Sequence, residues 1–165
     1  MIETTTVYAV RHGETEWNLA GRPQGHMNSS LTDAGVRQAR LVGEALRNRG
    51  IEAIHSSDLG RAVQTAEIIG EALDLEINLD SRLRERNLGP IQGLTRSQIL
   101  DRFPEHSALV DSRDPDLALP EAETARQHYE RCVEGATELA ARHPGGCILL
   151  VAHGGVLRSY FYHAI

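Results

Sequence analysis

Cys147-Ile148-Leu149-Leu150-Val151-Ala152 carries no charged or strongly polar residue in its six positions. A strand with one wet face alternates polar and apolar residues. An unbroken apolar run of this length predicts a strand buried on both faces, as at the centre of a parallel sheet. His153-Gly154-Gly155 follows at once. Working outward, Thr5 to Val10, Ala53 to Ser56 and Ile77 to Leu79 are further short runs of strand character. Helical patterns lie between them. Thr32 is placed to cap a helix to about Arg49, with Val36, Ala39, Val42 and Leu46 on one face and Gly50 closing it. Ser57-Asp58 opens a second, with Ala62, Ala66, Ile69 and Leu73 as its apolar face. A short helix over Thr95 to Arg102 stops before Pro104, and Glu123 to Arg142 makes the last long one, broken by Pro144-Gly145-Gly146. Residues 16–26, 83–93 and 111–120 read as loops. Strands alternating with helices predict an α/β fold: a three-layer α/β/α sandwich around a mixed, mainly parallel sheet.

The chain of 165 residues fits one domain, 1–165, with no internal repeat or long linker. An apolar fraction of 41% beside 24% charged residues is ordinary for a globular chain and argues against disorder. No apolar run nears the roughly 20 residues that span a bilayer. The start Met1-Ile2-Glu3-Thr4-Thr5 lacks the layout of a signal peptide, so a soluble, cytoplasmic protein without a membrane partner is expected. Cys132 and Cys147 form no Cys-x-x-Cys pair and read as core thiols. The net charge of −6 argues against nucleic acid, and it requires positive charge to be concentrated wherever a small anion binds. All 17 basic residues are Arg. The absence of Lys excludes a Walker lysine, a Schiff base and a lysine general base.

Three strand ends release polar groups: Arg11-His12-Gly13, Ser56-Ser57-Asp58-Leu59-Gly60-Arg61, and His153-Gly154-Gly155. In open α/β sheets ligands collect beyond the carboxyl ends of the strands, so these groups can converge on an anion. Arg61 stands in the first turn of a helix, where the dipole disfavours a cation by up to about 1 kcal/mol. An anion bound at the helix start would reverse that sign, and a side chain reaching out to solvent is the alternative.

Together, Arg11-His12-Gly13-Glu14-Thr15-x-Trp17-Asn18, Gly21-Arg22-x-Gln24-Gly25, Leu31-Thr32-x-x-Gly35, Ser56-Ser57-Asp58-Leu59-x-Arg61-Ala62-x-Gln64-Thr65-Ala66, Leu83-Arg84-Glu85 and Val151-Ala152-His153-Gly154-Gly155 resemble the histidine phosphatase (phosphoglycerate mutase-like) superfamily. The resemblance runs from Thr6 to about Arg158. It implies that His12 becomes phosphorylated, that Arg11, Arg61 and His153 surround the phosphoryl group, and that Glu85 is the proton donor. Asn18 and Thr15, with Arg22, Gln24, Gly25 and Gly154, are implied as phosphate or substrate contacts.

The chemistry of the residues fits these roles. Phosphoryl transfer needs positioning and neutralised oxygen charge, which guanidiniums and an imidazole supply without a metal or cofactor. A nucleophilic imidazole must be neutral, and neighbouring arginines keep it so by repulsion. Glu85 is preferred as acid to Glu14, which adjoins the nucleophile and can instead hold the loop. His26 is expected near the mouth, His55 in the core, His106, His128 and His143 on the surface, and His163 at the end. Asn28-Ser29-Ser30, Gln92-Gly93 and Glu121-Ala122-Glu123-Thr124 depart from commoner family patterns and bear on substrate contacts. No Cys is followed six positions later by Arg, and no Gly-x-Ser-x-Gly elbow or His-Glu-x-x-His zinc helix occurs.

The expected function is hydrolysis of a small-molecule phosphate ester. A phosphoglycerate mutase is the first alternative. Mutase-type members carry a long insertion with paired arginines, but here Leu94 to Ala122 is short and holds Arg113 between acids. A non-catalytic phosphate or phosphoprotein binder is the second. The apolar end Tyr160-Phe161-Tyr162-His163-Ala164-Ile165 suggests a homodimer face.

Overall fold

The computed structural model describes residues 3–164, and Met1, Ile2 and Ile165 of the terminal stretches read above lie outside them. Four strands, β1 (Thr6–Arg11), β2 (Ala53–Ser56), β3 (Ile77–Leu79) and β4 (Cys147–Ala152), form a sheet in the order β1-β4-β2-β3. Every pairing in it is parallel, so the sheet is parallel throughout the described residues rather than mixed. Each strand returns through at least one helix and therefore enters the sheet from the same end. An isolated antiparallel bridge, Thr15 to Leu31, lies outside the sheet.

The helices are α1 (Glu16–Leu19), α2 (Asp33–Leu46), α3 (Gly60–Leu73), α4 (Arg96–Arg102), α5 (Glu105–Ser112), α6 (Ala125–Ala141) and α7 (Gly154–Ala164). Because successive side chains of a strand point to opposite faces, β4 feeds two cores. Leu149 and Val151 pack with Leu46, Ile54, Ala66 and Ile69 on the α2–α3 side. Ile148, Leu150 and Ala152 pack with Leu83, Cys132, Leu139 and Val156 on the α6–α7 side. These are the three layers. Ile91, Ile99 and Leu119 make a small third cluster with α4 and α5. Among the described residues no helix is long and apolar enough to cross a membrane.

Several elements differ from the sequence reading: α1 forms within the stretch 16–26 read as loop, α7 follows β4 where no helix is read from the sequence, and two further differences concern α3 and α5. The second long helix begins at Gly60, not Ser57, because the Ser57 N–H is still bonded to the Val151 carbonyl at 2.9 Å and continues the strand. α5 occupies residues between the short helix and the acidic loop. Its first turn follows Pro104, and it buries no residue fully, so no apolar periodicity marked it.

The N-terminus of α2 sits against the loop after β1, backbone on backbone. A Cβ at Gly35 would lie 2.1 Å from the Glu14 carbonyl oxygen, and one at Gly13 would lie 2.5 Å from the Gly35 oxygen. Neither neighbour is a side chain that could swing aside. Gly35→Ala is expected to destabilise the fold by about 3 kcal/mol through overpacking. In a thermal melt that appears as a loss of roughly 10 °C. An unchanged melting temperature would contradict this packing.

Candidate active site

The carboxyl ends of β1, β4 and β2 adjoin, and the backbone fixes what stands there. The His12 N–H bonds to the Ala152 carbonyl at 2.9 Å, as Ser57 does to Val151, so His12, His153 and Ser57 follow three neighbouring strands. The His12 and His153 rings lie 5.2 Å apart between centroids. The His12 ring is almost wholly buried. Its Nδ1 lies 2.7 Å from the Gly13 carbonyl oxygen, which can only accept, so Nδ1 carries the proton and Nε2 the lone pair. Arg61 Nε donates to that Nε2 at 3.2 Å.

Burial is the largest influence on His12 and, with Arg61 and Arg11 added, lowers its pKa to about 4, despite the opposing Gly13 bond. The sequence reading credited the arginines, which are the lesser cause. His153, completely buried, is lowered well below the usual histidine value for the same reasons. Its Nε2 is 2.8 Å from Ser57 Oγ, while its Nδ1 has no hydrogen-bond partner. A buried polar nitrogen left so costs about 1–3 kcal/mol unless a ligand meets it.

Arg61 is 1% exposed, which removes the solvent alternative. The helix start is not left open for an anion either, because the Arg61 N–H is capped by Asn28 Oδ1 at 2.8 Å. The guanidinium turns inward, donating to the Gly25 and Met27 carbonyls at 2.8 Å each. Burial lowers its pKa to about 10, so it remains a cation at neutral pH. Thr65 Oγ1 accepts from the Gly13 N–H at 3.0 Å and donates to the Arg61 carbonyl at 2.7 Å, tying α3 to the loop that carries His12.

A cavity of about 380 Å³ opens over these groups. Arg11, Arg22, Arg61, Arg86 and Arg158 border it, with Glu85 the only carboxylate among its lining residues. An overall anionic chain thus concentrates positive charge at one place, as the net charge required. Glu85 comes from the loop after β3. Its Oε2 accepts from the Gly155 N–H at 3.1 Å and its Oε1 from the Arg86 N–H at 3.0 Å. The loop backbone is gripped by Arg131, which reaches the Arg82 and Arg84 carbonyls at 2.7 and 3.1 Å while paired to Glu123.

Of the residues expected from sequence, His12, Arg11, Asn18, Arg22, Gln24, Gly25, Arg61, Glu85 and Gly154 border the cavity, while His153 does not line it but has its ring beside that of His12. Thr15 does not, which corrects its expected contact role. It is fully buried, its hydroxyl donating to Asn18 Oδ1 at 3.0 Å and accepting from Gln24 Nε2 at 2.8 Å as the cap of α1. Thr15 therefore sets the orientation of Asn18 and Gln24 rather than meeting a ligand. His26 is also spent on structure, its Nε2 being 2.9 Å from the Glu85 carbonyl oxygen. Glu14 holds its loop as expected, accepting from Thr32 Oγ1 at 2.8 Å. His128, expected on the surface, is 5% exposed and borders the cavity. Gly155, part of the third strand end read from the sequence, also lines it, and Arg86, Leu88 and Arg158 are further lining residues that sequence reasoning missed. The signal for His128 was present: it continues the buried stripe Cys132, Gly135 and Leu139 of α6 at helical spacing. Arg158 likewise stands one turn after Gly154, on the same face of α7.

A neutral imidazole with an unprotonated Nε2, ringed by fixed cations and faced by a carboxyl, defines a phosphoryl-handling site on a parallel α/β sheet. The chain belongs to the histidine phosphatase superfamily, branch 1, whose model matches residues 7–165. Its members, phosphatase and mutase-like alike, are enzymes. Phosphoglycerate mutase-like protein 4 of Arabidopsis thaliana is 38% identical over 166 residues, 99% of this chain and 72% of that protein. The structure of a mycobacterial glucosyl-3-phosphoglycerate phosphatase superposes with a TM-score of 0.84 at 35% identity, covering 94% of this chain and 78% of the other. The alpha-ribazole phosphatase of Shigella flexneri gives a TM-score of 0.87 at 26% identity, over 96% and 79%.

The lowered histidines carry a pH consequence. In the unfolded chain His12 binds its proton near pH 6.5, but in the fold only near 4. Between those values the unfolded state holds more protons, so stability is complete above about pH 6.5 and falls as pH falls toward 4. His12 alone accounts for about 3 kcal/mol of that loss. His55, buried and 3.2 Å from His143 between their Nε2 atoms, is lowered too and adds in the same direction, as do His153 and His128. Denaturant melts from pH 7 to 4.5 should show the decline. A flat profile would contradict the buried, neutral state of these rings.

Proposed function

We propose that this chain is a phosphomonoesterase that acts on small phosphorylated metabolites through a phosphohistidine at His12. The observation that carries the reading is the pairing of a fixed His12 tautomer, lone pair inward, with unfilled donors around it: His153 Nδ1 has no partner, and Arg11 borders the same cavity. The His12 Nε2 lone pair attacks phosphorus and the ester P–O bond breaks. The Glu85 carboxyl gives its proton to the departing oxygen. Arg61 Nε, now on His12 Nε2, transfers its hydrogen bond to a phosphoryl oxygen. Water, deprotonated by Glu85, then attacks phosphorus; the P–N bond breaks and its electron pair returns to Nε2. Arg11 offsets the charge of the remaining oxygens, and the neutral His153 offers Nδ1 to one of them as a hydrogen-bond donor. No step calls on a metal or cofactor, and the two free thiols suit the cytoplasm. Phe161 and Tyr162, exposed on α7, are where a homodimer would pack.

A mutase reading draws support from the five arginines around the cavity, more than one phosphoryl group needs, and from a relative named as mutase-like. Hydrolysis is favoured because Arg113, the cation in the acidic part of the 94–122 interval, lines a neighbouring cavity beside α5, which shares Arg86 and Leu88 with the catalytic one, and does not line the catalytic one itself. The test is phosphate release from 3-phosphoglycerate and a panel of other esters, set against interconversion of phosphoglycerates. Hydrolysis of several esters with little interconversion is expected. Interconversion outpacing release would make the protein a mutase, and binding without turnover would make it a receptor.

A further inference from the structure

The proton donor has a neighbour that the proposed mechanism leaves unused. His128 projects from α6 with Nε2 3.5 Å from Glu85 Oε1, and its ring is buried. Gly155 makes the approach possible: a Cβ there would lie 2.2 Å from Glu85 Oε1 and 3.1 Å from His128 Cε1. Three elements thus meet at one carboxyl. The loop after β3 supplies Glu85 and Arg86, α7 supplies the Gly155 N–H, and α6 supplies an imidazole.

Both Glu85 oxygens accept backbone N–H bonds, and the carboxyl stands among the cavity's arginines. As an acid it must carry a proton when the ester oxygen departs, and the imidazole beside Oε1 is a group that can hold and return one. We infer that His128 is a positioning residue for Glu85, a ring that holds Oε1 and shares one exchangeable proton with it. The inference rests on the phosphatase reading above. In the first half-reaction the shared proton leaves through Glu85 to the departing oxygen as the P–O bond breaks. In the second, Glu85 takes a proton from the attacking water and the pair regains its proton as the P–N bond breaks. Proton count is restored over one turnover.

The groups facing His128 are Glu85 and Arg86 from the loop, Glu123 at the head of α6, Arg131 and Cys132 within it, and His153 at the head of α7. Cys132 Sγ is 3.5 Å from Nε2, but burial raises its thiol to about 12, so it does not ionise in the working range. Burial lowers the pKa of the His128 ring, and Glu85, the nearest acid, opposes that by favouring the protonated form.

The leaving group separates this role from simple packing. p-Nitrophenolate departs without a proton, whereas an alkoxide needs one. In His128→Leu, kcat for an alkyl ester such as glycerol phosphate is expected to fall about 10–100-fold further than kcat for p-nitrophenyl phosphate. His128→Gln, which retains a hydrogen-bonding group but no titrating ring, should not restore the pH profile of the alkyl ester. An NMR titration of the His128 ring in folded wild type and in Glu85→Gln supplies a second readout, with the midpoint moving down when the carboxylate is lost. Equal losses for both esters, or a midpoint indifferent to Glu85→Gln, would overturn the pairing while leaving the phosphatase reading intact. A wild type that hydrolyses neither ester would overturn both.

Discussion

His12→Ala is expected to abolish ester hydrolysis, by at least about 10⁴-fold in kcat, because the covalent route disappears with the nucleophile. What survives is electrostatic assistance to direct attack by water. The variant should remain folded. Alanine removes a ring whose burial already opposes protonation, and the Arg61 hydrogen bond it loses is one of three that the guanidinium makes. Inorganic phosphate should still raise its melting temperature, since Arg11, Arg61 and His153 persist. Near wild-type turnover would remove His12 from the chemistry.

Arg61→Ala should cost about 10³-fold in kcat, the scale set by removing a preorganised cation from a phosphoryl group. Its effect on stability works out differently. Loss of the guanidinium strands the Gly25 and Met27 carbonyls, at about 1–3 kcal/mol each. Against that, burial lowers the Arg61 pKa from 12.5 to about 10, so holding the cation there costs the fold about 3 kcal/mol. The second term offsets only part of the first, and the cavity left by so buried a side chain adds to the loss. A steep loss of activity is therefore expected together with a measurably lower melting temperature. Arg61→Lys restores charge but not the planar fork that meets three acceptors at once, and it should recover little of the rate. A large fall in melting temperature with modest kinetic loss would make Arg61 a structural clamp instead.

The fold was legible where one physical requirement dominated the sequence. β4 must be dry on both faces, and nothing but an apolar run satisfies that. The strand ends followed from it, and with them His12, Arg61 and His153. Legibility failed where a side chain's partner came from a distant element. Thr15 reads as a phosphate contact until Asn18 and Gln24 are seen to occupy its hydroxyl. Arg61 leaves both its options open until Asn28, from another loop, caps the helix in place of an anion. The burial of His128 was written into the spacing of α6, but the carboxyl it faces lies 43 positions earlier, on the loop after β3. α5 carried no periodic signal, because it covers a small satellite cluster rather than the sheet.

The most direct test is to quench the enzyme in mid-turnover with a ³²P-labelled ester, keep it alkaline, and map the label by mass spectrometry. One PO₃ group on the peptide holding His12, stable to base, labile to acid and absent from His12→Ala, is the predicted result. Turnover with no trapped label, or a label on any other residue, would contradict the account.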